Sequence, residues 1–159
     1  MGVTGDFDKL ARLRENLRKL VTPQARAEVS QILASSAMKL IADEFRGSVN
    51  PYGDSWDPLA WRRGRPLLDT GRMRNSVAPH QTERGFRISI PVAYAPVHQY
   101  GARTRGERPL PRRSRARVGY IPQRQMLPTK ETGGLGPIWL TTLNRDVTAY
   151  LRRSMGAAA

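Results

Sequence analysis

The sequence predicts an α+β fold: two N-terminal helices and a C-terminal helix packed on a small antiparallel β-sheet, with a long arginine-rich loop. Three observations predict it. Apolar residues recur three or four apart over 7–20, over 23–46 and from 137 onward, the period of one helix face. The stretch "GFRISIPV" alternates Phe86, Ile88 and Ile90 with Arg87 and Ser89, the period of a half-buried strand. No regular β-α-β alternation is present, so the strands are expected to pair antiparallel.

In the first helix Phe7, Leu10, Leu13, Leu17 and Leu20 share a face, with Arg12, Glu15, Arg18 and Lys19 on the others. Asp6 is its expected N-cap. A second helix starts at "TPQ", with Thr22 as cap and Pro23 at the first position, where a missing N–H does no harm. Its expected buried stripe is Val29, Ile32, Leu33, Ala37, Leu40, Ile41 and Phe45, and Gly47 is expected to end it. Residues 50–76 are broken by glycine and proline and carry Trp56 and Trp61, which reads as an ordered loop pinned to the core by its aromatics. Residues 73–78 can enter a strand, and 83–85 make the turn into the clear one.

"AYAPVHQYG" forms a turn of helix closed by Gly101. "YIPQRQML" has strand composition, and "PTKETGGLGP" reads as a flexible turn. Pro137 starts the last helix, with Trp139 or Leu140, Leu143, Val147 and Leu151 buried and Arg145, Arg152 and Arg153 outward. Cations in its last turn suit the helix dipole. Residues 156–159 read as a frayed tail. The 159 residues are expected to form one domain.

The net charge is +14 and there is no cysteine, which excludes disulfides and thiolate chemistry. No apolar run has the length of a signal-peptide core or a membrane span. A soluble protein made in a cytoplasm is expected, with no membrane partner. The charge implies a polyanionic or acidic partner, and nucleic acid and an acidic protein surface serve equally well electrostatically.

Catalytic chemistry finds no pattern. His80 and His98 lie far apart without metal-ligand spacing, and a catalytic histidine needs a carboxylate or nucleophile oriented on it. His98 reads instead as a turn residue, hydrogen-bonded to a backbone carbonyl and packed by Tyr94 and Tyr100. Asp54 and Asp57 flank Trp56 in a loop, where Asx-turns are expected. Asp43 and Glu44 lie at a helix end beside Phe45. "GRMRNS" lacks the framework of a phosphate-binding loop. No enzyme, metal or cofactor is expected.

The strongest physical signal is residues 103–117, with seven arginines (Arg103, Arg105, Arg108, Arg112, Arg113, Arg115 and Arg117), two prolines and one acid. Residues 102–119 read as a flexible loop, too poor in apolar side chains to order itself. Six phosphate contacts would give a log–log salt slope of roughly −5. Arginine forks suit carboxylates as well as phosphates. Aromatics are not interleaved, so stacking on single-stranded bases is not supported.

Four segments then line up in order: "EFRGSVNPYGDSWDPLA", "LLDTGRMRNSV", "AYAPVHQYG" and "IPQRQML". Together they resemble the tailed-bacteriophage virion morphogenesis family, the Mu G-like tail-completion or neck proteins. The residues that carry the resemblance are Pro51, Gly53, Trp56, Pro58 and Leu59, then Leu67, Thr70, Gly71, Met73, Ser76 and Val77, then the His-Gln and Ile-Pro-x-Arg segments. Family members carry an aromatic shortly after the last of these, where this chain has Gln125 and Met126. The resemblance implies a non-enzymatic structural part of a phage neck or tail top, assembled in the host cytoplasm as a ring, commonly of six copies, between head and tail.

Expected partners are therefore the chain itself, adjacent neck and tail proteins, and double-stranded DNA in the channel. Trp56, Trp61, Tyr94, His98 and Tyr100 are expected to anchor loops or subunit contacts. Six copies would carry about +84, so much of that charge is expected to face acidic neighbours, with one basic band near the channel. The alternative is a basic nucleic-acid-binding protein that uses residues 103–117 as its arm.

Overall fold

The structure is a computed structural model and describes residues 14, 15, 18, 21–59, 63–83, 85–103 and 120–156. Of the first expected helix, Arg14, Glu15 and Arg18 are described, all helical and exposed. Its apolar stripe and Asp6 lie outside the described residues.

Helix α1 (Pro23–Gly47) begins as expected, with the Thr22 hydroxyl accepting from the Ala25 N–H at 3.1 Å and proline leading the first turn. Its far end falls at Gly47 as expected, but the left-handed cap is the residue after it. Gly47 is the last helical residue, and Ser48 takes the left-handed conformation, φ 55°. The cause lies downstream, where Trp56 N–H donates to the Ser48 carbonyl at 2.8 Å and Val49 bridges to Ser55. The chain has to reverse at Ser48 to reach those partners, which offsets the cost of a left-handed serine, about 1 kcal/mol.

The buried side of α1 also departs from the expected stripe. Ala25, Ser30, Ala34, Ala37, Ile41, Glu44 and Phe45 are buried, whereas Val29, Ile32, Leu33 and Leu40 are only half-buried. The helix is flanked by the β-hairpin and by the C-terminal helix, and its alanines let both come close.

Residues 73–77 do not form a strand, which the chain enters only at Ala78. A short helix, α2 (Arg72–Asn75), is closed by Ser76 Oγ donating to the Met73 carbonyl at 2.8 Å, and it buries Met73 in the core. One apolar residue between two arginines fits either period, and the side-chain cap decides. Strand β1 (Ala78–Thr82) follows and pairs antiparallel with β2 (Gly85–Ser89), with Ala78 opposite Ser89 and Thr82 opposite Gly85.

Helix α3 (Ala95–Tyr100) is closed by Gly101 at φ 72°. A Cβ at Gly101 would lie 3.2 Å from both the Gln123 nitrogen and the Ile121 oxygen, so this position demands glycine twice over. Strands β3 (Ala102–Arg103) and β4 (Tyr120–Ile121) form a second antiparallel ribbon, separate from the first. The strand expected over 120–127 stops at Ile121, because Pro122 cannot donate to a ladder and the next residues find other partners.

A 3-10 turn, Lys130–Thr132, precedes helix α4 (Pro137–Gly156). Trp139 takes the buried position at 3% exposure, while Leu140 is 47% exposed. Leu143, Val147 and Leu151 are half-buried, and Arg145, Arg152 and Arg153 face out. Gly156, expected in the tail, ends α4, and residues 157–159 lie outside the described residues. Ile41, Phe45, Trp56, Met73, Val77, Met126 and Trp139 lead one core, to which the four helices, β2 and the loops between them contribute. The architecture is α+β.

Candidate functional site

Three segments meet beside the core: residues 48–59, helix α3, and residues 121–127. The first is shaped by Asn50, whose Oδ1 accepts from the Tyr52 and Asp54 N–H groups, both at 2.9 Å. The Asx-turn thus belongs to Asn50, not to Asp54 or Asp57. Asp54 Oδ2 accepts from Asn50 Nδ2 at 3.0 Å, a bond that an ionised carboxylate at position 50 could not donate. Trp56 anchors the loop, edge-on to Phe45 with ring centroids 5.5 Å apart, and its Nε1 donates to the Gln125 carbonyl at 2.9 Å.

Gln99 is the hub. Its Oε1 accepts from the Met126 N–H at 2.9 Å and the Leu127 N–H at 3.1 Å, and its Nε2 donates to the Leu127 carbonyl at 2.8 Å. Arg124 extends the tie, since its N–H donates to the His98 carbonyl at 2.7 Å. Its guanidinium donates to the carbonyls of Asp57 at 3.1 Å and Pro58 at 3.2 Å. Backbone groups that lack a ladder partner are satisfied by these side chains, which ties the three segments together. Burial lowers the Arg124 pKa, opposed by the attraction of Asp57.

His98 differs from expectation. Its ring meets Tyr94 edge-on at a centroid distance of 6.1 Å, but Tyr100 is 63% exposed. On a helix, residue 94 lies four before His98 and stacks with it, whereas residue 100 falls on another face. His98 Nδ1 is buried without a hydrogen-bond partner among the described residues, so the expected bond to a carbonyl is not made there. Burial, aided by the charge of Arg124, lowers the imidazole pKa, so the ring is neutral at pH 7. Beside it opens a cleft of about 720 Å³, lined in part by Asp69, Arg72, Tyr94, His98 and Arg124. His80 is exposed on β1, its Nε2 2.7 Å from Ser89 Oγ.

Trp61, Arg105, Arg108, Arg112, Arg113, Arg115 and Arg117 lie outside the described residues, and Arg103 is described through its backbone in β3. Among the described residues, no three His, Cys, Asp or Glu side chains are grouped to hold a metal, and no helix is long and apolar enough to cross a membrane.

Sequence reasoning missed Glu44. It is 7% exposed, and Trp139 Nε1 donates to its Oε1 at 2.5 Å. The signal was its spacing, three after Ile41 and seven after Ala37, on the buried side of α1. Burial pushes its pKa from the ordinary 4.5 to about 7, with the tryptophan bond pulling the other way. An acid with a raised folded pKa stays protonated while the unfolded chain ionises. Its contribution is therefore full below about pH 4.5 and declines up to about pH 7, by about 3 kcal/mol. Glu44→Gln keeps the acceptor and removes the titration. Thermal denaturation from pH 4 to 8 should show the wild type losing stability relative to this variant across that window. Parallel profiles would contradict the burial of an ionisable group there.

Fold and site together define a class: a small basic α+β protein whose loops are cross-tied into a firm surface. Residues 7–137 match the family model of the phage virion morphogenesis family, and the chain belongs to that family. Its role is accordingly structural or in assembly, associated with a phage virion. No curated protein and no solved structure matches it.

Proposed function

We propose that the chain is a non-enzymatic structural protein of a tailed-phage neck or tail top, where a ring of about six copies completes or terminates the tail and joins it to the head. The observation that carries this reading, beside family membership, is where the motif side chains go. Trp56, Gln99 and Arg124 hold the backbones of neighbouring loops and do not converge on a point where a reacting atom could sit.

Rigid loops make good docking surfaces, because little conformational freedom is lost on contact. Tyr94, 41% exposed, and Tyr100, on the stiffened α3, are the aromatic anchors of subunit contact in this reading. In this reading much of the positive charge of the chain meets acidic neighbouring rings, with one basic band near the channel. Electron microscopy and sizing of the purified chain should show rings, alone or with neck proteins. Phage made without the gene should yield unjoined heads and tails. Complete, infectious particles lacking the protein would refute the reading.

The charge of +14 favours one alternative, a basic nucleic-acid-binding protein. Tight, steeply salt-dependent duplex binding by a monomer that never forms rings would establish it.

A further inference from the structure

The geometry points to a carboxylate-accepting site: we propose that the cleft beside α3 receives an aspartate or glutamate side chain from an acidic segment of a neighbouring virion protein. The proposal rests on the virion reading only for the identity of that neighbour. Binding itself is a property of the chain.

The cleft brings together Arg72, which is exposed, and Arg124, which is 5% exposed. The Arg124 guanidinium donates to two neutral carbonyls, and among the described residues no carboxylate oxygen lies within ion-pair distance of it. The charge of Asp57 attracts this cation from beyond contact distance, and a recessed cation without a contacting counter-ion strengthens any anion that reaches it. Asp69 also lines the cleft but is already engaged in an interaction of its own. His98 and Tyr94 complete the wall with a neutral imidazole and an aromatic ring, so nothing in them repels an anion.

The recess selects the kind of anion. A DNA duplex is a broad convex rod with its phosphates on the outside, which can approach Arg72 but not a guanidinium buried to this depth. A carboxylate on a flexible side chain can enter and accept from Arg72 and from the Arg124 N–H groups that the Asp57 and Pro58 carbonyls leave over. The charge of +14 disfavours basic partners and draws acidic ones.

The test is a nuclear magnetic resonance titration of the full chain with a hexaglutamate peptide, reading the Nε–H signals of Arg72 and Arg124, with the Trp56 indole signal as a reporter of the fold. The two arginine signals should move saturably. Arg72→Ala should weaken binding about tenfold, and Arg72→Glu should abolish it, both with Trp56 unchanged. Equal binding by Arg72→Ala, with shifts scattered over Arg145 and Arg152, would overturn the site. So would a short DNA duplex that moves the Arg124 signal as strongly as the peptide. Failure of the cleft and failure of the virion role are separable: particles can assemble with a chain that ignores the peptide, and a chain that binds it can be dispensable for particles.

Discussion

Gly136→Ala is expected to lower stability by about 3 kcal/mol, and the melting temperature by about 10 °C. Gly136 opens α4, with Leu140 N–H donating to its carbonyl at 2.9 Å. A Cβ there would lie 2.1 Å from the Pro51 oxygen and 3.0 Å from its carbonyl carbon. Both are backbone atoms, which cannot rotate aside. The loop of residues 48–59 would have to retreat from α4, pulling on the bond from Tyr52 hydroxyl to the Gly134 carbonyl at 2.8 Å. Gly47→Ala is the control, because its Cβ would meet only Val49 at 3.5 Å or beyond, and its stability should stay within about 1 kcal/mol of the wild type. Equal melting temperatures for the two variants would mean that α4 and the loop do not approach so closely.

The second large effect is at Gln99. Gln99→Leu is close in volume but leaves the Met126 and Leu127 N–H groups without their acceptor. Each orphaned donor costs about 2 kcal/mol, about 4 kcal/mol together. The Leu127 carbonyl keeps one partner, Gln125 Nε2 at 2.9 Å, so the loss falls on the donors. Urea denaturation measures the total, and hydrogen exchange should localise it as faster exchange at amides 126 and 127. If those amides stayed protected while another region exchanged faster, Gln99 would not be the hub of the three loops.

Much of the scaffold was legible in advance. Thr22 and Pro23 announced the start of α1, the Phe86–Ile88 alternation announced β2, and Gly101 announced the end of α3. The motif segments were also legible as a set, and the family match spans all four. The candidate site was harder to read. His98 drew attention as one of two histidines, yet its neighbour Gln99 holds the loops together. Neutral amides carry no chemical label in a sequence, and their value depends wholly on which backbone groups stand opposite. Asn50 and Asp54 show the same difficulty, since either can make an Asx-turn and the need for a donor chose Asn50.

Helices and hairpin follow from the order of apolar and polar residues along a few turns, because burying one face is a requirement that each segment states locally. The contacts that make a site are of another kind. Gln99 meets Met126 across 27 positions, and Glu44 meets Trp139 across 95. Periodicity cannot foretell such meetings, since they depend on how whole elements come to rest against one another. Tertiary structure alone made Glu44 a buried acid, left Arg124 a recessed cation, and required a residue without a side chain where Gly136 meets Pro51.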